Sequence, residues 1–270
     1  MRARSSHLLA AARLVAVLAW TAVEALVIII EQRRACDEHE RLRRVSLRMR
    51  AWARRCVALS GVRLELRGKP ARGALLTPNH VSYGDILVLS AACGCSFVPK
   101  AELMDWPIVG PLMRLTGMVS VDRSSHRALH GAAEAVAALL RQRQAVAVFL
   151  EGTTTTNDRV LKYRPSFVQA ALDAGAPIQP VALNWSVHRP GLSVERDVAY
   201  WGDVSFLPHF WRMLGLRGVG VRVSFGKPLP PAGSRKELAA RARSSVVRMA
   251  GLPPELDEPA VPIPWKRAAG

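Results

Sequence analysis

The chain has 270 residues, half of them hydrophobic, which suffices for one domain of about 180–200 residues plus an N-terminal appendage. A formal charge of +17 asks for an anionic partner, although arginine so outnumbers lysine that part of the excess also fits a genome rich in G and C. No zinc-finger, helix-turn-helix or RNA-binding signature is present, so nucleic acid is set aside, and anionic lipid suits the charge better at roughly 1 kcal/mol per basic residue near such a surface.

Residues 8–30 form an almost wholly apolar stretch of bilayer-crossing length, interrupted by Arg13 near one end and Glu24 inside. Arg13 can snorkel, whereas Glu24 in hydrocarbon is costly unless protonated or paired, so a spanning helix and a helix half-buried in the interface both stay open. A cleaved signal peptide fits less well, because the run exceeds the usual ~7–15 residues and no small-x-small site ends it. A second helix follows. Leu42, Val45, Met49, Trp52, Cys56 and Leu59 recur at three- and four-residue steps, with Arg41, Arg43, Arg44, Arg48, Arg50, Arg54 and Arg55 between them. Its apolar stripe can pack on the rest of the chain or lie in the interface, and the crowd of arginines favours membrane contact. The positive-inside tendency puts the following domain on the cytoplasmic side of an inner or cell membrane.

Beyond residue 62 apolar runs alternate with helical segments. Strands are expected near 74–77, 96–98, 118–121, 146–150, 178–183 and 219–225, and helices over 128–143 and 165–173, with Ser234 and Glu237 opening a last one as a capping box. The fold class is therefore α/β, a largely parallel central sheet flanked by helices, with active-site residues on loops and an N-terminal membrane-associated helical segment. Residues 1–62 are read as anchor and basic helix, 63–252 as the catalytic domain and 253–270 as a proline-rich tail. Aromatic residues crowd 184–217, either as a lipid-facing lip or as core packing. Cys36, Cys56, Cys93 and Cys95 show no paired framework, and Cys93-Gly94-Cys95 has no second Cys/His pair at metal-binding spacing, so no metal site is expected. Neither a P-loop nor a dinucleotide fingerprint follows a strand.

The most informative block is Thr77-Pro78-Asn79-His80-Val81-Ser82-Tyr83-Gly84-Asp85, which sets a histidine and an aspartate at the mouth of a strand-loop-helix junction. A histidine there can take the proton of an attacking hydroxyl, provided a carboxylate fixes its tautomer. No Gly-x-Ser-x-Gly elbow appears, so direct attack by an acceptor hydroxyl is the simpler route. Downstream stand Gly117-Met118-Val119-Ser120-Val121-Asp122-Arg123, Val148-Phe149-Leu150-Glu151-Gly152-Thr153 and Ala176-Pro177-Ile178-Gln179-Pro180-Val181-Ala182-Leu183. In this order the four blocks resemble those of the glycerolipid acyltransferases, the family that includes 1-acyl-sn-glycerol-3-phosphate acyltransferase. Phe97-Val98-Pro99-Lys100-Ala101-Glu102-Leu103 looks like the family's linker between its first two blocks.

That resemblance implies acyl transfer from acyl-CoA or acyl-carrier protein as co-substrate to the hydroxyl of a lysophospholipid, with no further cofactor. It makes His80 the general base and Asp85 its partner, with Asn79 and Ser82 shaping the turn. Arg123, Glu151, Gly152 and Thr153 match positions that bind the acceptor, and Lys100 is a second phosphate contact. The first acceptor it implies is 1-acyl-sn-glycerol-3-phosphate, giving phosphatidic acid. One departure bears on that choice. Many members place an arginine after the Glu-Gly-Thr that here reads Glu151-Gly152-Thr153, where this chain has Thr154-Thr155-Thr156-Asn157. Threonine-rich versions resemble acyltransferases for other lysolipids, lyso-ornithine lipid and lysophosphatidylcholine-like acceptors among them. Alternatively Arg159, Lys162 or Arg164 replaces the arginine from nearby. A basic membrane-binding module with inactive motifs and a hydrolase using the same base remain as rivals.

Overall fold

The computed structural model describes residues 5–34, 37–98, 104–105, 109–116 and 126–253. Its centre is a six-stranded sheet, built from β1 (Arg63–Arg67), β2 (Leu75–Pro78), β3 (Ser96–Phe97), β4 (Val146–Ala147), β5 (Ile178–Val187) and β6 (Val219–Phe225), in the order β1-β6-β5-β2-β4-β3. Every neighbouring pair is parallel except β5 with β6. The mixture follows from the connections: helices carry the chain between the parallel strands, while β6 returns beside β5 in the opposite sense. Strand β2 is buried along its whole length, as a strand covered on both faces must be, and that is why it reads as an unbroken apolar run.

Two apolar clusters line the two faces of the sheet. One gathers α5 (His126–Arg141), α6 (Val168–Ala174) and α9 (Arg235–Ala250) through Val136, Leu140, Val168, Ala171, Leu238 and Val246. The other gathers α2 (Glu38–Leu59) and α3 (Gly84–Cys93) through Ala53, Val57, Val88 and Leu89. Helix α9 starts where the sequence places it, with Ser234 Oγ accepting from the Glu237 backbone N–H at 3.2 Å. Two strand readings change. Strand β4 stops at Ala147, because the chain leaves the ladder to make the turn at Glu151, although Val148 N still donates to Leu76 O at 3.0 Å. Strand β1 is an edge strand whose polar alternation hides it among charged residues; its Glu65 pairs with Arg67 and Arg222. The strand expected at 118–121 lies outside the described residues.

Helix α1 (His7–Gln32) is long and apolar enough to cross a membrane, but one side of it is already occupied by protein. The Arg13 guanidinium does not snorkel: it donates to the carbonyls of Leu214 (2.8 Å) and Leu216 (2.5 Å), closing the end of α8 (Phe206–Leu214). Glu24 is buried, Trp52 Nε1 donates to Thr21 Oγ1 at 3.0 Å, and Arg48 pairs with Glu31. These contacts fasten α1 to α2. The stripe of α2 is correspondingly consumed: Leu42, Val45 and Cys56 are buried, so the membrane contact expected of its apolar face is corrected to packing against α3 and α1. Arg43, Arg54 and Arg55 are left facing outward. What α1 leaves open is apolar: Leu8, Val15, Leu18, Val23, Leu26, Ile29 and Ile30 are exposed. The remaining helices are α4 (Val109–Leu115) and α7 (Val194–Asp197).

Candidate active site

Parallel strands β2 and β4 end side by side, and the loops beyond their C-terminal ends meet. The β2 loop carries His80, and Asp85 sits in the first turn of α3, where an anion is favoured by the helix N-terminus. Asp85 is wholly buried, which demands that its charge be satisfied. Its Oδ2 accepts from Val81 N at 2.7 Å and Ser82 N at 2.9 Å and lies 2.8 Å from His80 Nδ1. Its Oδ1 accepts from Trp185 Nε1 at 2.6 Å. A carboxylate can only accept, so the contact puts the proton on Nδ1 and leaves Nε2 bare, the tautomer that can take a proton from a substrate.

The imidazole is held on its other sides too. Its ring stacks on Phe149 with centroids 3.8 Å apart and planes 18° apart, and the side chain keeps 18% of its surface open. The backbone is pinned as well: His80 N donates to Glu151 Oε1 at 2.7 Å, and His80 O accepts from Thr155 N at 2.9 Å. One ring position, held by packing and by a buried anion, is what general-base chemistry needs.

The other sequence-predicted residues divide by place. Asn79 is buried, with its amide nitrogen donating to Leu183 O at 3.0 Å and its oxygen accepting from Leu183 N at 2.7 Å, so it ties the loop to β5. Ser82 is also buried, its hydroxyl accepting from Gly84 N at 3.4 Å inside the turn. Glu151 lies beneath the histidine with both oxygens taken by backbone N–H groups, the second from Leu161 at 2.8 Å. Gly152 has φ +76°, a region that disfavours side chains, and the Arg164 guanidinium lies 3.1 Å from where a Cβ would stand. Thr153 is exposed. Lys100 and Arg123 lie outside the described residues.

Trp185 is the residue that sequence reasoning did not assign to the dyad, whereas Arg164, one of the three basic residues offered in place of the missing arginine, does stand beside Gly152. Trp185 follows the apolar run of β5 and reads as core; only its indole N–H, pointed at Asp85, gives it a role. The Cβ that Gly84 lacks would stand 3.1 Å from the Trp185 ring, so glycine at that position lets the indole approach. Part of the aromatic stretch 184–217 is packed inside and part stands at the surface. Tyr83, Tyr200, Phe206, His209 and Phe210 pack edge to face or stacked, whereas Trp201, Val204 and Leu207 are exposed just beyond.

Burial pushes the Glu151 carboxyl up to about 8, against the pull of the Leu161 and His80 backbone N–H groups, and Asp85 adds to the rise. A carboxyl raised in this way from its ordinary 4.5 favours the fold while it is protonated; that stability is complete below about 4.5 and is lost as pH rises through about 8. The melting temperature of the wild type should therefore decline across that window. Glu151→Gln, which does not titrate, should flatten the decline while starting lower, because its amide nitrogen faces one of the two backbone donors at a cost of about 1–3 kcal/mol. Melting curves of the two proteins from acid to mildly basic pH check both points; parallel slopes contradict the assignment.

A family model described as Acyltransferase matches residues 61–184, the segment that holds both β2 and β4 loops. The lyso-ornithine lipid O-acyltransferase of Rhizobium meliloti is 34% identical over 190 residues, covering 66% of this chain and 65% of that protein. The protein of the same description from Pseudomonas aeruginosa is 32% identical over 228 residues, 82% of this chain and 83% of the relative. The 1-acyl-sn-glycerol-3-phosphate acyltransferase of Neisseria meningitidis serogroup B is 32% identical over 162 residues, 58% and 62% of the two chains. Among solved structures, the 1-acyl-sn-glycerophosphate acyltransferase PlsC of Thermotoga maritima superposes with a TM-score of 0.63 at 19% identity, covering 88% of this chain and 96% of its own, and so shares the fold. The chain belongs to the acyltransferase family.

Proposed function

We propose that the protein moves a fatty acyl group from a thioester, carried by CoA or acyl-carrier protein, to the free hydroxyl of a lysolipid at a membrane surface. The observation that carries this reading is the His80 imidazole, tethered to buried Asp85 through Nδ1 and partly open. Nε2 takes the hydroxyl proton as the oxygen attacks the thioester carbonyl. The tetrahedral adduct then collapses, the C–S bond breaks, and the departing sulfur recovers the proton from the imidazolium. Asp85 stabilises that cation while it exists.

For the acceptor we favour lyso-ornithine lipid over 1-acyl-sn-glycerol-3-phosphate. Relatives of that name align over more of this chain, and the threonine-rich turn after Gly152 departs from the arginine-bearing form. Arg164, lying against Gly152, supplies a guanidinium for a carboxylate or a phosphate head group, which keeps phosphatidate synthesis as the second reading. The motif resemblance assigns Lys100 and Arg123 to acceptor binding as well.

The membrane face we assign is the open side of α1 together with the tip at Trp201, Val204 and Leu207. The tip stands beside the catalytic loop, since Tyr200 N donates to Val81 O at 2.9 Å and Thr154 Oγ1 donates to Tyr200 O. Outward arginines of α2 suit an anionic cytoplasmic leaflet. The test is product analysis by mass spectrometry with purified protein, labelled acyl-CoA and a panel of lysolipids in vesicles. Diacylated ornithine lipid should dominate, and Arg164→Ala should raise the acceptor KM about tenfold with little change in kcat. Free fatty acid alone makes the protein a hydrolase, and no turnover of any acceptor ends the reading.

A further inference from the structure

Three exposed arginines from three separate elements line a cavity of about 190 Å³ at the opposite end of the sheet from His80. Arg43 comes from α2, Arg72 from the loop before β2, and Arg143 from the turn between α5 and β4. The strands it abuts enter the cavity by their N-terminal ends: Gly73 leads into β2, Ala145 into β4 and Gly94 towards β3. His80 and Glu151 stand past the C-terminal ends of β2 and β4, so the cavity belongs to neither the dyad nor its rim.

No Asp or Glu is among the residues lining the cavity, and among the described residues none of the three guanidiniums has an ion pair or a hydrogen bond. Elsewhere the chain spends its carboxylates on arginines: Glu31 on Arg48, Glu40 on Arg44, Glu65 on Arg67 and Arg222, Asp197 on Arg196 and Arg212. Like charges gathered without a counter-ion repel, and a bound anion relieves that repulsion. The walls are fixed: Ser46 Oγ donates to Gly94 O at 2.6 Å, binding α2 to the end of α3, and Arg143 adopts φ +58°, with its Cα 3.0 Å from where a Cβ on Gly73 would stand. The volume falls below the ~300–1,000 Å³ of drug-sized pockets and matches a small charged group.

We propose that this cavity is a second anion site, separate from catalysis, for a phosphate group. Guanidinium forks supply the phosphate contacts. The phosphate can be a soluble ester or the head group of an anionic lipid.

The test uses the full chain in detergent micelles, titrated calorimetrically with inorganic phosphate and glycerol 3-phosphate, and separately tested for sedimentation with phosphatidylcholine vesicles with and without phosphatidylglycerol. Arg72→Gln with Arg143→Asn, the asparagine chosen because it tolerates a left-handed backbone, should weaken glycerol 3-phosphate binding by tenfold or more. Arg241→Gln, on the distant surface of α9, is the charge control and should leave it unchanged. As a second readout, alkylation of Cys93 at the cavity wall should slow when glycerol 3-phosphate is present. Response in the vesicle arm identifies the lipid head group, response to the soluble esters alone identifies a free phosphate, and either supports the site. Binding by the double variant equal to wild type, or an equal loss in Arg241→Gln, overturns it. His80→Ala should bind the anion normally, so failure of the acyl-transfer reading and failure of this one are told apart.

Discussion

His80→Ala should lower acyl transfer by about 10²–10⁴-fold while leaving the protein folded and bound to membranes. The change removes the ring and nothing else that holds the loop. Alanine keeps the backbone N–H donated to Glu151 and the carbonyl that accepts from Thr155. Asp85 keeps three of its donors, Val81 N, Ser82 N and Trp185 Nε1, so its buried charge stays compensated. What is lost structurally is one partly exposed ring stacked on Phe149, worth about 0.5–1.5 kcal/mol beyond its area. Initial rates with saturating donor, measured beside circular dichroism and vesicle sedimentation, separate chemistry from folding. A rate within a few-fold of wild type contradicts the assignment of the base.

Asp85→Asn should reduce the rate by a similar order, about 10³–10⁴-fold, and unlike the histidine change it should also destabilise the protein. An amide has one acceptor where the carboxylate has two, and both are in use. With its nitrogen in the Oδ2 position it faces the backbone donors of Val81 and Ser82 and forces His80 to accept through Nδ1, which moves the imidazole proton to Nε2 and removes the base. With its nitrogen in the Oδ1 position it faces the Trp185 indole N–H. Each orientation leaves buried donors opposed, so the expected loss of stability is about 2–4 kcal/mol, visible as a lower denaturant midpoint. An Asp85→Asn protein as stable and as active as wild type contradicts the hydrogen-bond pattern described above.

The pairing of His80 with Asp85 was legible because it is local. Five positions of chain separate His80 from Asp85, and a strand-loop-helix junction brings them together without help from distant sequence. The helices α5 and α9 were legible for the same reason, since their apolar spacing and the Ser234 cap act within a few residues. Strand β1 was not, because an edge strand has one neighbour and its polar side chains carry no burial signal. Trp185 lies 100 positions from Asp85, and no periodicity encodes a hydrogen bond over that distance. Glu151 shows the converse: its place in a motif block marked it for the acceptor, and only the fold shows both of its oxygens committed to the backbone of His80 and Leu161. For α2, sequence gave two uses of one stripe, and packing against α3 and α1 decided between them.

Chemical rescue of His80→Ala tests the central claim most directly, because the ring it replaces sits in a position partly open to solvent. Acyl transfer to the preferred lysolipid is measured with increasing added imidazole at several pH values. The account predicts turnover that rises with the concentration of uncharged imidazole and saturates as the vacated space beside Asp85 fills. Acyl transfer by His80→Ala at the wild-type rate without imidazole contradicts it.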